Sequence, residues 1–512
     1  MPAPRAGSDE ERARPVLIVR NLTKRFPGIL ALDGIDFDLR AGEVHAVLGE
    51  NGAGKSTLMH ILYGLIRPDA GEMMLWGRRY APSSPRDAVV SGVGMVHQHF
   101  LLIPALTVAQ NVVLGDEPRR GPRIDLRAAE DRIGHLRTAY GIEVDPTALV
   151  ADLSVGMRQR VEVLKALYRD ARLLILDEPT ALLTPQETRH LFRAIQELTA
   201  RGISVIFISH KLDEVRLVSQ RVTVLRRGRA VGTERSTEIT PGELARRMTG
   251  HEVTMSFRRQ ASSAGEPLLR IEDLSAQGTG PLTLDLCAGE ILGVAGIEGN
   301  GQEALIGALA GLIPARGKVW LGGARIDHLT VRQRVEAGLG LVPSDRQEDG
   351  LVLPMTAAEN LALRSYYRRP YARWGVLDLA QWSREASGKL KAFDVRPPSA
   401  AAKAEALSGG NQQKLVLARE IGSEPRVLIA SQPTRGLDVG ATEFVHRRLI
   451  GLRDSGRGIL LVSFDLDEVL ALSDRIAVLS RGRIAGFMPR READREALGL
   501  LMMGAPPRGP AS

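Results

Sequence analysis

Nine residues near the start of the chain, Gly49-Glu50-Asn51-Gly52-Ala53-Gly54-Lys55-Ser56-Thr57, have the make-up of a phosphate grip. Glycines let successive backbone N–H groups converge on one anion. A helical pattern follows, LMHILYGL, and its N-terminus adds partial positive charge. Lys55 is placed for the β- and γ-phosphates of a nucleoside triphosphate, and Ser56 for Mg2+. A glycine turn without ligand is the competing reading. It does not account for Lys-Ser directly after the last glycine, between a strand and a helix.

The groups that would act on such a ligand lie further along. Asp177 and Glu178 end the apolar run Leu173–Leu176. An acidic pair at the C-terminal edge of a parallel sheet sits where ligands bind. Asp177 is expected to hold Mg2+ through water, and Glu178 to orient or deprotonate the attacking water. Incidental acids at an exposed strand end are the alternative. His210 follows the strand pattern VIFIS and is expected at the γ-phosphate, although a lone histidine at a strand end is usually structural. Gln98, after VGMVH, is expected to touch Mg2+ and the water, with His97 and His99 as bystanders. Phe26 is a candidate for stacking on adenine, against the commoner role of core packing.

These groups need a scaffold of short buried strands alternating with helices. EVHAVLG, LLILDEP and VIFISH read as parallel strands, so the fold class is α/β. The scaffold occurs twice. Ser154 is matched by Ser408, Asp177 by Ser431 and His210 by Phe464, each 254 positions later (408 − 154, 431 − 177, 464 − 210). The expected domains are 16–250 and 267–504, with a lead at 1–15, a linker at 251–266 and a tail at 505–512.

The 512 residues exceed one ordinary domain. A content of 44% hydrophobic and 25% charged residues is that of a globular protein. No uncharged apolar run reaches the roughly 18–20 residues that span a bilayer. The first fifteen residues lack the apolar core of a secretory signal. The single cysteine, Cys287, excludes an internal disulfide and a cysteine-rich zinc site, which makes the cytoplasm the default compartment. The net charge of +8 is spread along the chain. It reads as solvated arginine with mild steering toward an anionic membrane surface.

The phosphate loop, the LS-x-G element, Asp-Glu-Pro-Thr and Ser-His, in this order and over about residues 16–500, resemble the ATPase subunit of an ATP-binding cassette (ABC) transporter. The resemblance implies two tandem cassettes, each with a mostly parallel core sheet, an antiparallel β subdomain and a helical subdomain. Its cofactors are ATP and Mg2+. Tandem halves with a decayed second loop are similar to importers of simple sugars and nucleosides. VGMVHQHF, VGMRQRVEVLKALYRDARLLILDEPTALLTPQE and LLVSFDLDEV point to the nucleoside branch.

In this family ATP lies between the phosphate loop of one cassette and the LSGGQ signature of the other. The first half has the intact loop and acids, but its signature is LSVGM, with Ser154 and Gly156. The second half keeps LSGGN, with Ser408, Gly409, Gly410 and Asn411, and the D-loop acid Asp438. The first half has ALLT at that D-loop. The second phosphate loop keeps Gly296, Gly299 and Gly301 but carries Gln302 and Glu303. Ser431, Gln432 and Phe464 replace its Asp, Glu and His. Head-to-tail pairing then gives one productive site and one degenerate site. Random decay of the second half would not spare LSGGN and GLD.

The resemblance also implies two transmembrane permease subunits, docking near Gln98 and near its counterpart around Ser344, and an extracytoplasmic solute-binding protein. The chain itself is expected to sit peripherally on the cytoplasmic face of the membrane. Ser344 departs from the family, which usually has an acid there. A ribosome-acting tandem ABC protein would keep two working sites and a long charged linker. A DNA-repair ABC ATPase needs zinc-binding cysteines. Nucleic acid is therefore not expected as a partner, and SYYRRPYARW (365–374) reads as a partly exposed surface segment.

Overall fold

A computed structural model describes residues 14–502, except 28, 98, 99, 181, 182, 184, 210, 251–264, 298 and 370. The chain divides into two compact units, Met1–Val253 and Thr254–Ser512.

Each unit is built on a six-stranded sheet. In the first, the order is Arg229–Arg235, Arg221–Arg226, Val44–Leu48, Ser204–Ile208, Leu173–Asp177 and Val93–Val96. All pairings are parallel except that of the edge strand Arg229–Arg235. The strands Val44–Leu48, Ser204–Ile208 and Leu173–Asp177 are buried throughout. That explains their unbroken apolar runs, since helices cover both faces of a parallel sheet. The second unit repeats the order with Arg483–Pro489, Arg475–Ser480, Ile291–Ala295, Gly458–Val462, Val427–Ser431 and Leu339–Val342. The repeat inferred from sequence is thus a repeat of topology.

Each unit also has a four-stranded antiparallel sheet, with Pro15–Phe26 and Ile29–Arg40 in the first and Pro267–Ala276 and Thr279–Cys287 in the second. An ion pair ties it to the core sheet. The Arg221 guanidinium donates to both Asp38 oxygens at 2.8 and 2.9 Å and to Glu43 at 3.5 Å. Arg475 repeats this on Glu290 at 2.8 Å and Asp285 at 3.4 Å. The helical part of each unit carries a short hairpin, Arg119–Arg120 with Arg123–Ile124 and Ala372–Arg373 with Val376–Leu377. In the SYYRRPYARW segment Trp374 is 89% exposed, while Tyr367 packs under Arg332 and donates to Glu336.

Backbone pairing extends slightly beyond the expected bounds. Arg14 and Pro15, expected in the lead, pair with Ala41 and Arg40. Gly265 and Glu266, expected in the linker, bond to Ala288. In both places backbone pairing starts ahead of the strand's first aliphatic residue. No helix among the described residues is long and apolar enough to cross a membrane.

Candidate functional site

The first phosphate loop joins the buried strand Val44–Leu48 to the helix Lys55–Leu62. Gly54 caps that helix in a left-handed conformation (φ 106°) and, being glycine, offers no side-chain cap of its own. A Cβ on Gly54 would lie 2.7 Å from the Ala31 carbonyl, so only glycine lets the loop pack on the strand Ile29–Arg40. Lys55 is buried and folds back over the loop, its Nζ donating to the carbonyls of Gly49 (2.6 Å) and Glu50 (3.0 Å). Ser56, Asn51 and Gly52 face solvent, and Ala53 is buried.

The second loop has the same backbone. Gly299 and Gly301 have φ 87° and 104°, matching 81° at Gly52 and 106° at Gly54. Gln302 takes the place of Lys55, is 2% exposed, and donates to the Ile297 carbonyl at 3.2 Å. It closes the loop as the lysine does but brings no charge to a phosphate. Glu303 stands exposed at the position of Ser56.

Asp177 ends the strand Leu173–Asp177, buried. Burial first, then the charge of Glu178, push its carboxyl up to about 6, against the pull of Lys55. Such a carboxyl gains from a cation beside it, and with the exposed Ser56 hydroxyl it supplies the hard oxygen donors that suit Mg2+. Glu178 lies in a left-handed corner (φ 46°), its N–H donating to the Ile208 carbonyl at 3.0 Å. Gln432 has the same φ of 46° and donates to Val462 at 2.8 Å. Ser431 ends the matching strand, buried. Phe464 is half-buried.

Phe26 is the last residue of its strand and 39% exposed, with the Lys24 ammonium 5.6 Å from its ring centroid. Ala276 ends the matching strand of the second unit, with no ring to stack. Gln98, His99 and His210 lie outside the described residues, as do Ala181, Leu182 and Thr184 of the first D-loop. His97 packs edge-on to Tyr63. Both line a cleft of about 180 Å³ together with Leu101, Glu162, Lys165 and Arg169.

The signature elements differ in how their helices begin. Ser154 caps the helix Val155–Tyr168, accepting from Met157 N–H at 3.3 Å. Ser408 gives the helix Gly409–Glu420 no such cap. Its Oγ instead accepts from the Asn411 side-chain amide at 2.9 Å. Asp438 caps its own helix through Ala441 N–H at 2.8 Å. Ser344 precedes a wide turn, Arg346–Gly350, where Asp345 accepts from the N–H groups of Gln347 and Glu348. Arg346 donates to the Arg435 carbonyl at 2.9 Å, next to the second D-loop.

Sequence reasoning missed Glu214. Its carboxylate accepts from Thr180 at 2.5 Å and Ser209 at 3.2 Å, and pairs with Lys211 at 3.1 Å. It links the segment after Glu178 to the segment before His210. Glu468 repeats the bond to Thr434 at 2.7 Å. The signal was present in the sequence: LDEV occurs at 212–215 and again at 466–469.

Comparison with known proteins agrees with this arrangement. The sequence matches the ABC transporter family over residues 32–181 and 280–435, once in each unit. It is 46% identical to the nucleoside import ATP-binding protein NupA of Lactococcus lactis subsp. cremoris over 96% of this chain and 98% of that one. The guanosine import ATP-binding protein NupO of Bacillus subtilis is also 46% identical over 96% and 98%. The ribose import ATP-binding protein RbsA 1 of Rubrobacter xylanophilus is 45% identical over 96% and 99%. With a complete phosphate loop and acid pair in one unit and the same topology in both, the chain belongs to the ABC transporter family, as an ATP-hydrolysing member with two cassettes in tandem.

Proposed function

We propose that this chain energises a nucleoside importer, hydrolysing ATP at one productive site formed when the two cassettes pair head to tail. The observation that carries the substrate class is the 46% identity, along 96% of the chain, to proteins named for nucleoside and guanosine import. A monosaccharide importer is the second reading, favoured by the ribose import relative at 45%.

In the productive site the loop 49–57 cradles the phosphates, and Phe26 stacks on adenine. Ser56, Asp177 and Gln98 would hold Mg2+, which draws charge from the phosphates when bound. Glu178 takes the proton of the attacking water, and His210 meets the γ-phosphate. Ser408, Gly409, Gly410 and Asn411, at a helix N-terminus that favours the anion, close the site from the other cassette together with Asp438. The uncapped start of the helix Gly409–Glu420 supports that role. Gly296, Gly299, Gly301, Gln302, Glu303, Ser431, Gln432, Phe464, Ser154 and Gly156 form the degenerate counterpart.

With no membrane-spanning helix among the described residues, the chain works on permease subunits at the inner membrane face, served outside by a solute-binding protein. The cleft beside Tyr63 and His97 suits a docked permease helix, being apolar at Leu101 and charged at Glu162, Lys165 and Arg169. The test is ATPase activity of the reconstituted complex with nucleosides and with ribose. Stimulation by ribose alone transfers the assignment to the sugar branch.

A further inference from the structure

The two signature helices carry opposite charge at their starts. At the first, Glu187 of the helix Pro185–Ala200 reaches across to the helix Val155–Tyr168, and its Oε1 accepts from the Gly156 N–H at 3.1 Å. The carboxylate lies flat against this glycine, since a Cβ there would be 2.5 Å from Oε1. With the Ser154 cap, two N–H groups at this helix start are satisfied from within the half. At the second, the residue 254 positions after Glu187 is Ala441 (441 − 187). Its methyl group lies near Gly410, 3.3 Å from the position of an added Cβ. A guanidinium lies there instead of a carboxylate: Arg346 Nη2 is 2.6 Å from an added Cβ on Gly409.

A helix N-terminus favours one anion, and a carboxylate held on its N–H repels another. We infer that Glu187 determines which cleft accepts nucleotide: its carboxylate stands in for the γ-phosphate on the first signature helix and keeps that helix from engaging one. The inference rests on the head-to-tail reading above. Degeneracy is then enforced from both sides of the second cleft, by Gln302 and Glu303 on its loop and by Glu187 on its signature. Glu187 also has the spacing of a capping box with Thr184, T-P-Q-E. That role serves its own helix and calls for no contact with Gly156.

The experiment counts ATP molecules retained per full-length chain through gel filtration, with Glu178→Gln to block hydrolysis. In that background Gln302→Lys with Glu303→Ser rebuilds the second loop. One ATP per chain is expected while Glu187 is present, and two once Glu187→Ala is added. Glu187→Gln keeps the length and the accepting oxygen but not the charge, and should also exceed one, with an unchanged melting midpoint. A second ATP retained with Glu187 in place overturns the inference, and so does a count of one in both Glu187 variants. Ser408→Arg separates the two levels. If it leaves the first ATP occluded, the head-to-tail pairing fails, whatever Glu187 does.

Discussion

Glu178 and Gln432 occupy the same backbone corner. Both have φ 46°, and both donate their N–H to the last carbonyl of the neighbouring strand, Ile208 or Val462. At this corner the second unit keeps the backbone and carries a carboxamide in place of the carboxylate. Glu178→Gln therefore changes chemistry without changing shape. Turnover should fall by about 10²–10⁴, with ATP affinity retained, in a phosphate-release assay paired with equilibrium nucleotide binding. Gln432→Glu should leave kcat unchanged, because Gln302 and Ser431 still stand where the first unit has Lys55 and Asp177.

Ser408→Arg places a long cation at the start of the helix Gly409–Glu420, where no side chain caps the backbone. Hydrolysis should be lost although every loop residue of the first unit is intact. The equivalent Ser154→Arg should cost a helix cap, about 1 kcal/mol, and leave hydrolysis in place. Equal activity of Ser408→Arg and wild type would refute a shared site.

Glu214→Ala frees Thr180 and Ser209 at once. These residues flank the segments that carry Glu178 and His210. A fall in kcat of about tenfold or more, with the KM for ATP little changed, is the expected split, since an active-site shift of about 1 Å can cost 10²-fold. Steady-state kinetics of Glu214→Ala and Glu214→Gln decide it.

His45 gives a pH prediction for stability. Fully buried, it bonds Thr223 at 2.7 Å, and burial lowers its pKa from 6.5 to about 3. Between those values the unfolded chain takes up a proton that the folded chain does not. Stability from this group is complete above about pH 6.5 and is lost as pH falls toward 3, at up to about 1.4 kcal/mol per unit. Glu43 shifts in the opposite sense, its carboxyl raised by burial. The difference between wild type and His45→Gln isolates the histidine. Denaturation midpoints at pH 7 and pH 5 should converge for the two proteins as the pH drops.

Arg364 and Arg419 meet Glu420, which is fully buried, at 2.6 and 2.8 Å. Arg364→Met leaves that carboxylate short of a partner in the interior, so the second unit should lose about 3 kcal/mol. Differential scanning calorimetry should show the loss in one transition.

The core strands were readable in the sequence because a parallel sheet covered on both faces demands unbroken apolar runs, as at Leu173–Leu176. The phosphate loop was readable because its glycines and lysine are adjacent. What the sequence hid were contacts between segments far apart in the chain. Glu187 reaches Gly156 across 31 positions and Glu214 reaches Thr180 across 34. Neither pairing disturbs the periodicity of its helix. Setting one half against the other would have exposed them, since Ala441 answers Glu187 and Glu468 answers Glu214. Roles given to Gln98 and His210 lie outside the described residues and stay with the sequence.

Arg221 welds the antiparallel sheet to the core strand beside the one that feeds the phosphate loop. Phe26 rides on that sheet and Lys55 follows that strand, so the ion pair joins the two elements that carry them. On the proposed reading, a nucleotide is measured from base to terminal phosphate. A molecule one phosphate too short would then seat its base, yet fall short of the far signature helix.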